Sequence, residues 1–430
     1  MIGPVTRRTT LALVVAVAVA CAGALVVTLL SRDPAPPPLR PQELSAEALL
    51  DSIGVNVHFT YTDTAYVRRD ELLALLSEAG IRHVRDAMPS PVDSPLALGL
   101  RAARDQGIHA TLLPHDPTSD PGPLISDSLE VLGDTIAAFE APNEPDNSGD
   151  PDWAAKLLTY MPMLQERIGQ LAPGVPMIGP SLVHAASRLQ VQARLPGIFN
   201  VHPYSGGGPP EPALGDALRE VAQLQRGSRR RGIVFTEAGY HNALGEPDGQ
   251  PPASEEAAAV YMPRLLMTAF GAGVRRTFLY ELVDEKPEPG LTDQEQHFGL
   301  LRNDLSPKPA FTAIKTLVAA LRASPGGGTP ERVPWSVVPN EPGQVERLIL
   351  KRRDGSRVIA LWRPVSVWDE DARQAVDPGV QSIDVSFGDW EARDVSVWRP
   401  SVATGPVQQH DRTRRVRLDL AGDLVLVSFR

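Results

Sequence analysis

Ile136-Ala-Ala-Phe-Glu-Ala-Pro-Asn-Glu-Pro145 begins as a short apolar strand and leaves it through a turn fixed by Pro145, carrying carboxylates at Glu140 and Glu144. Further on, Gly232-Ile-Val-Phe-Thr-Glu-Ala-Gly-Tyr240 does the same with Glu237. Working outward from these two, the same unit recurs: a short apolar or β-branched run, then a helical stretch, then a turn marked by Gly or Pro. The runs are Ile53–Phe59, Ile81–Ala87, His109–Pro114, Ile136–Pro142, Pro176–Ser181, Phe199–Tyr204, Gly232–Glu237 and Arg276–Glu281. Between them, Arg68–Glu78, Ala154–Ile168, Ala213–Gln225 and Ser254–Phe270 space their apolar residues as helices do. Starts that advance by about thirty residues match a strand plus its crossover helix. Eight such units predict an α/β chain closed into a (β/α)8 barrel, where an open doubly wound sheet more often has five or six strands. No glycine-rich phosphate loop follows the first strand, which also disfavours the open sheet.

After the helical stretch Ala310–Ala323, Ser324-Pro-Gly-Gly-Gly-Thr-Pro330 signals a linker, and the pattern beyond it is β only. Arg347–Lys351, Val358–Trp362, Ser382–Phe387, Asp394–Trp398, Arg415–Leu420 and Leu424–Phe429 predict a small β-sandwich. Trp335, Trp362, Trp368, Trp390 and Trp398 lie here, read as filling this core and its contact with the barrel in preference to forming a glycan-binding face. At the other end, uncharged Leu11–Leu30 follows Arg7 and Arg8 and is long enough to cross a bilayer core of about 30 Å. An uncleaved anchor with the body outside the cytoplasm is favoured over a cleaved signal and secretion, and Cys21 is read as an ordinary membrane residue over a lipoprotein site. The organisation expected is an anchor at 1–32, a proline-rich spacer at 33–48, the barrel at 49–325 and the sandwich at 326–430.

The 430 residues are 42% hydrophobic and 22% charged, globular proportions. A net charge of −10 argues against a nucleic-acid binder. With Cys21 the single cysteine, the folded part has neither disulfides nor a thiolate metal cluster or nucleophile. In a (β/α)8 barrel the reactive groups sit at the C-terminal ends of the strands. Two carboxyl groups facing each other there, Glu144 and Glu237, can split a glycosidic bond: one protonates the leaving oxygen while the other attacks the anomeric carbon. Asn143 supplies an amide for a neighbouring sugar hydroxyl, and Glu140, deeper in the strand, is expected to pair inside the barrel with a residue such as Arg85. His58, His202, Tyr204, Tyr240 and Tyr280 complete a ring of aromatic and polar groups suited to a sugar. Either Tyr204 or Tyr280 is expected to donate a hydrogen bond to Glu237. Neither an HExxH helix nor a compact His/carboxylate cluster supports His58 and His202 as a metal pair, so neither metal nor cofactor is expected.

Asn143-Glu144-Pro145 and Thr236-Glu237, in this order and on these strands, resemble the retaining glycoside hydrolases of clan A, which include families 5, 30 and 39. Arg82-His83-Val84-Arg85, Val201-His202-Pro203-Tyr204, Phe278-Leu279-Tyr280-Glu281-Leu282, Phe298-Gly299-Leu300-Leu301 and Pro307-Lys308-Pro309-Ala310-Phe311 extend the likeness from Ile53 to Leu321. The resemblance implies Glu144 as acid/base and Glu237 as nucleophile of a double displacement on a polysaccharide or oligosaccharide. It departs at the eighth strand, where many clan members place a tryptophan platform and this chain has Tyr280 and Glu281. A transglycosylase using the same site, or a non-catalytic surface glycan binder, are the alternatives.

Overall fold

The computed structural model describes residues 43–115, 117–226, 232–323, 333–339 and 345–430. The expected anchor, Cys21 and the linker Ser324–Pro330 lie outside the described residues, as does all but the last part of the proline-rich spacer. Among the described residues no helix is long and apolar enough to cross a membrane.

Eight parallel strands form the central sheet: β1 (Ile53–Asn56), β2 (His83–Ala87), β3 (His109–Leu113), β4 (Ile136–Glu140), β5 (Met177–Ile178), β6 (Phe199–Asn200), β7 (Ile233–Ala238) and β8 (Thr277–Leu279). Each pairs with its sequence neighbour, and β8 returns to β1 through Gly54↔Phe278. Between β5 and β6 the seam is carried by one parallel bridge, Ile178↔Ile198, so the barrel is nearly closed. All eight expected strands are present, most ending earlier than their apolar runs. Val57 and Phe59, for example, continue the run past β1 because both are buried, Phe59 lying over Gly99 of the helix Pro95–Asp105. They are apolar for packing, not for pairing.

Helices alternate with the strands, and their ends are set locally. Ser94 and Ser254 cap Pro95–Asp105 and Glu255–Gly271 by accepting from the backbone N–H groups of Ala97 and Ala257. Gly80 ends Arg69–Ala79 in the left-handed conformation that glycine adopts without steric cost.

Inside the barrel the period of two along each strand stacks side chains in layers. The lower layer is apolar: Ala138, Ile178 and Val234 surround Phe278, whose ring occupies the space a side chain on Gly54 would need. Two residues along, the same strand faces carry Asn56, Glu140 and Thr236. The hydrophobic plug thus gives way to a polar layer at the mouth.

Beyond the barrel, a six-stranded sheet runs Glu43–Ser45, Glu346–Lys351, Arg357–Trp362, Val425–Phe429, Ala392–Trp398, Pro406–Thr413 in spatial order. A three-stranded sheet, Ser336–Pro339, Gln381–Ser386 and Arg415–Leu420, shares a buried cluster with it that includes Val337, Ile359, Ile383, Val397, Leu418 and Phe429. Glu43–Ser45, assigned from sequence to the spacer before the barrel, instead pairs in parallel with Glu346–Lys351. The residues from Glu43 onward form one compact unit. Trp362 and Trp368 are buried against the barrel, their indoles donating to Glu211 Oε1 at 3.0 Å and to the Pro252 carbonyl at 2.9 Å. Trp335 and Trp390 pack against the cluster within the sheets.

Candidate active site

Arg85 on β2 organises the polar layer. It is 4% exposed and donates from Nε and Nη2 to both oxygens of Glu140, at 2.7 and 2.9 Å. Its Nη1 reaches Glu237 Oε1 at 2.7 Å and Asn56 Oδ1 at 2.9 Å, and Nη2 also reaches Asn143 Oδ1 at 2.7 Å. Glu140, fully buried, additionally accepts from Asn200 Nδ2 at 3.1 Å and Thr236 Oγ1 at 3.0 Å. A carboxylate buried and held in this way is a fixed partner for Arg85, below the reach of a substrate.

Glu237 reaches the mouth through an irregularity. Strict alternation would turn it away from the face that Thr236 occupies, yet both side chains face inward. The register between β7 and β8 shifts between Phe235 and Ala238, and such a slip re-aims a side chain. Just beyond, Gly239 passes so close to β8 that a Cβ there would stand 2.3 Å from the Tyr280 carbonyl oxygen, so only glycine fits. Burial alone would raise the Glu237 carboxyl, but the charges of His202 and Arg85 and the hydrogen bonds from Tyr204 and Arg85 prevail and hold it below the ordinary value. Tyr204 Oη donates to Glu237 Oε2 at 2.9 Å.

Glu144 sits just past β4 with φ 43° and ψ 46°, a left-handed backbone that is sparsely populated by residues other than glycine. Its N–H is held by the Ser181 carbonyl at 3.1 Å and by Ser181 Oγ at 3.2 Å. Its Oε1 meets His202 Nδ1 at 2.7 Å, and His202 Nε2 meets Thr236 Oγ1 at 2.9 Å. Thr236 directs its single hydroxyl hydrogen toward Glu140 and Asn200, so it accepts from His202 Nε2–H. One oxygen each of Glu144 and Glu237, with a nitrogen of His202, lie within 4.8 Å of one another.

These groups open into a cavity of about 640 Å³ whose lining includes His58, Arg85, Asn143, Glu144, His202, Tyr204, Glu237 and Tyr280. Of the residues singled out from sequence, Tyr240 is not among them. It is 2% exposed with its ring 5.5 Å from that of Tyr261, because the chain turns away from the mouth after Gly239. The histidines divide: His202 joins the two glutamates, whereas His58 faces Glu281 across 3.4 Å. Burial and the nearby Arg85 charge push His58 down to about 4, so it is neutral at pH 7. Sequence reasoning missed Tyr61, Arg188, Gln294 and Glu295, which also line the cavity. Tyr61 stands on a connecting segment, Arg188 on the short helix Ala185–Gln190 and Gln294 and Glu295 on a single helical turn, all too short for a period to mark which side chain faces inward.

No protein-family model matches the sequence, and no curated protein matches it. Solved structures do. A family 39 glycoside hydrolase from the gut symbiont Bacteroides cellulosilyticus WH2 is 15% identical and superposes with a TM-score of 0.62 over 90% of this chain and 82% of its own. The chain shares the fold of that glycoside hydrolase. A family 39 β-xylosidase from Caulobacter crescentus is similar at 16% identity and TM-score 0.56, over 91% of this chain and 98% of its own. The glucosidase from Croceicoccus marinus is similar at 12% and 0.55, over 83% and 91%.

Proposed function

We propose that the protein is a retaining glycoside hydrolase acting on a β-linked polysaccharide outside the cytoplasm, with Glu237 as nucleophile and Glu144 as acid/base. The observation that carries this reading is the meeting of the two carboxyl groups, oxygens within 4.8 Å, at the floor of one open cavity. Such proximity belongs with the gap of roughly 5–5.5 Å used for direct attack, not with the roughly 6.5–9.5 Å that leaves room for a water. The environments differ in the way the two roles require. Glu237 receives Arg85 and Tyr204 and stays ionised, as a nucleophile must. The Glu144 carboxyl is more exposed and has His202 as its side-chain partner, the open position from which an acid/base reaches a leaving oxygen. When a second sugar hydroxyl or water later attacks the glycosyl ester at Glu237, Glu144 takes back a proton, and His202 steadies it in both states.

A neighbouring hollow of about 510 Å³, lined partly by Pro114, Trp153 and Leu157, shares Ala87, Leu113, His115 and Asn143 with the first. This extended cleft supports a chain-like ligand and internal cleavage. In this reading residues 49–325 form the catalytic body, 326–430 a β-sandwich that buttresses it, and 1–32 the anchor that places it outside the cytoplasm.

The test is a panel of β-linked polysaccharides and aryl glycosides with product stereochemistry followed by NMR. Glu237→Gln is expected to abolish cleavage of every substrate. Glu144→Gln should lower the rate about 10²–10⁴-fold on sugar leaving groups. It should do so far less on an activated aryl glycoside, whose departure needs no proton. If neither variant changes turnover, or if the first product is inverted, the assignment of roles is wrong.

A further inference from the structure

A second convergence of donors lies where the chain leaving β1 meets the chain leaving β8. One donor atom each from His58, Glu281 and Glu285 lies within 4.8 Å of the other two. Glu281 is fully buried. Its Oε2 accepts from Tyr66 Oη at 2.7 Å, while Oε1 is buried with no hydrogen-bond partner. His58 Nε2 is buried and unpartnered as well, standing 3.4 Å from Glu281 Oε2 without the alignment of a hydrogen bond. Two orphaned polar atoms side by side are costly unless something binds both.

Charge points the same way. Among the described residues, neither Glu281 nor Glu285 is ion-paired with a lysine or arginine, and the adjacent Lys286 bonds Asp63. Glu295, Asp284 and Asp293 add further negative charge nearby, an environment that attracts a cation.

We propose that His58, Glu281 and Glu285 bind a divalent first-row transition ion of the zinc class, tying the segments after β1 and β8 together beside the cavity. The 3.4 Å between His58 Nε2 and Glu281 Oε2 is the edge of a tetrahedron whose centre lies about 2.1 Å from each corner, the usual length of zinc bonds to imidazole and carboxylate. An imidazole among the donors favours a transition ion over calcium or magnesium. Glu144, His202 and Glu237 converge equally closely, but both ring nitrogens of His202 are engaged, and Arg85 and Tyr204 already occupy Glu237. That trio is a filled network. The first is an open one.

The experiment uses the full chain without a polyhistidine tag, stripped with chelator and titrated calorimetrically with Zn²⁺ and, separately, with Ca²⁺. One Zn²⁺ per chain is expected, with a rise in melting temperature that chelator reverses. Glu285→Gln, an isosteric change at a part-buried position, should weaken Zn²⁺ at least tenfold while melting as sharply as the metal-free parent. Glu144→Gln should bind Zn²⁺ like the parent. Absence of Zn²⁺ binding, a Ca²⁺ preference, undiminished binding in Glu285→Gln, or loss of binding in Glu144→Gln would each overturn the proposal. None of these outcomes depends on whether the chain hydrolyses a glycoside.

Discussion

At the residue scale, the strand-end carboxylates were legible because position on a repeating unit says where a side chain must go. Glu144 and Glu237 are the residues at which two apolar runs stop, and Arg85 is the cation placed to answer them. What the pattern left open was which tyrosine serves Glu237, and the geometry answers Tyr204. Tyr240 was misread for the complementary reason: it lies two residues past the last ladder position, where alternation has lapsed and the Gly239 turn decides direction. The network also makes a pH prediction. In its proposed role as nucleophile, Glu237, held below the ordinary glutamate value, stays ionised into acid, so the acid limb of kcat/KM should lie below the roughly 4.3 of an unperturbed glutamate. Tyr204→Phe removes a hydrogen bond to a charged group. It should move that limb to higher pH and lower kcat/KM at pH 7 about tenfold, as pH–rate profiles of the two proteins would show. A limb that stays in place would mean that Arg85 and His202 alone set the ionisation.

Strands and their crossover helices were legible at the element scale because a buried parallel strand is an unbroken apolar run. Their lengths were not. Apolar residues such as Val57 and Phe59 serve helix packing beyond the ladder, and sequence does not separate the two uses. The short strand Glu43–Ser45 was invisible for another reason: three residues carry no period, and only its partner Glu346–Lys351 makes it a strand. The foot of the barrel offers an element-level test. Asp51, the last residue of the helix Ala46–Asp51 that leads into β1, joins β2 through His83 Nε2 at 2.9 Å and the start of β8 through Arg276 Nη2 at 2.9 Å. The hydrogen bond to His83, helped by Arg276 and opposed by burial, holds its carboxyl at about 2. A depressed carboxyl contributes stability that is present above the unfolded value of about 4 and is lost as pH falls through about 2. The Asp51 side chain is 66% exposed, so after solvent screening Asp51→Asn should cost about 0.5–1 kcal/mol at pH 7. Urea unfolding should show the two proteins converging as the pH approaches 2; an equal gap at every pH would assign the loss to packing and not to charge.

For the whole molecule, the question is how the barrel and the C-terminal sheets become one body, and here sequence was least informative. The glycine-rich break at 324–330 reads as independence between two parts, yet the contacts that join them come from single residues scattered over both. Chief among them is Arg264, on the helix Glu255–Gly271 and fully buried. It donates to both oxygens of Glu211, at 2.9 and 2.6 Å, within the barrel, and to the carbonyls of Val365 and Gly422, at 2.8 and 2.9 Å, beyond it. Trp362 completes the node by donating to the same Glu211. A guanidinium saturated in this way is worth little as net attraction but is expensive to remove, since Glu211 loses its counter-charge and two carbonyls lose their donor in a buried seam. Arg264→Met should therefore cost about 3–5 kcal/mol in urea unfolding, and adding Glu211→Met should recover part of the loss by removing the stranded charge. Because Trp362 and Trp368 report from the seam while the helices dominate far-ultraviolet circular dichroism, the two signals should unfold together in the parent. If they separate in the parent, or if Arg264→Met costs less than about 1 kcal/mol, the sheets are an appendage and the barrel stands without them. Coincident transitions that shift together would show that one cooperative unit spans the break, with the sheets holding the barrel's outer helices and, through them, the strands that carry the two glutamates.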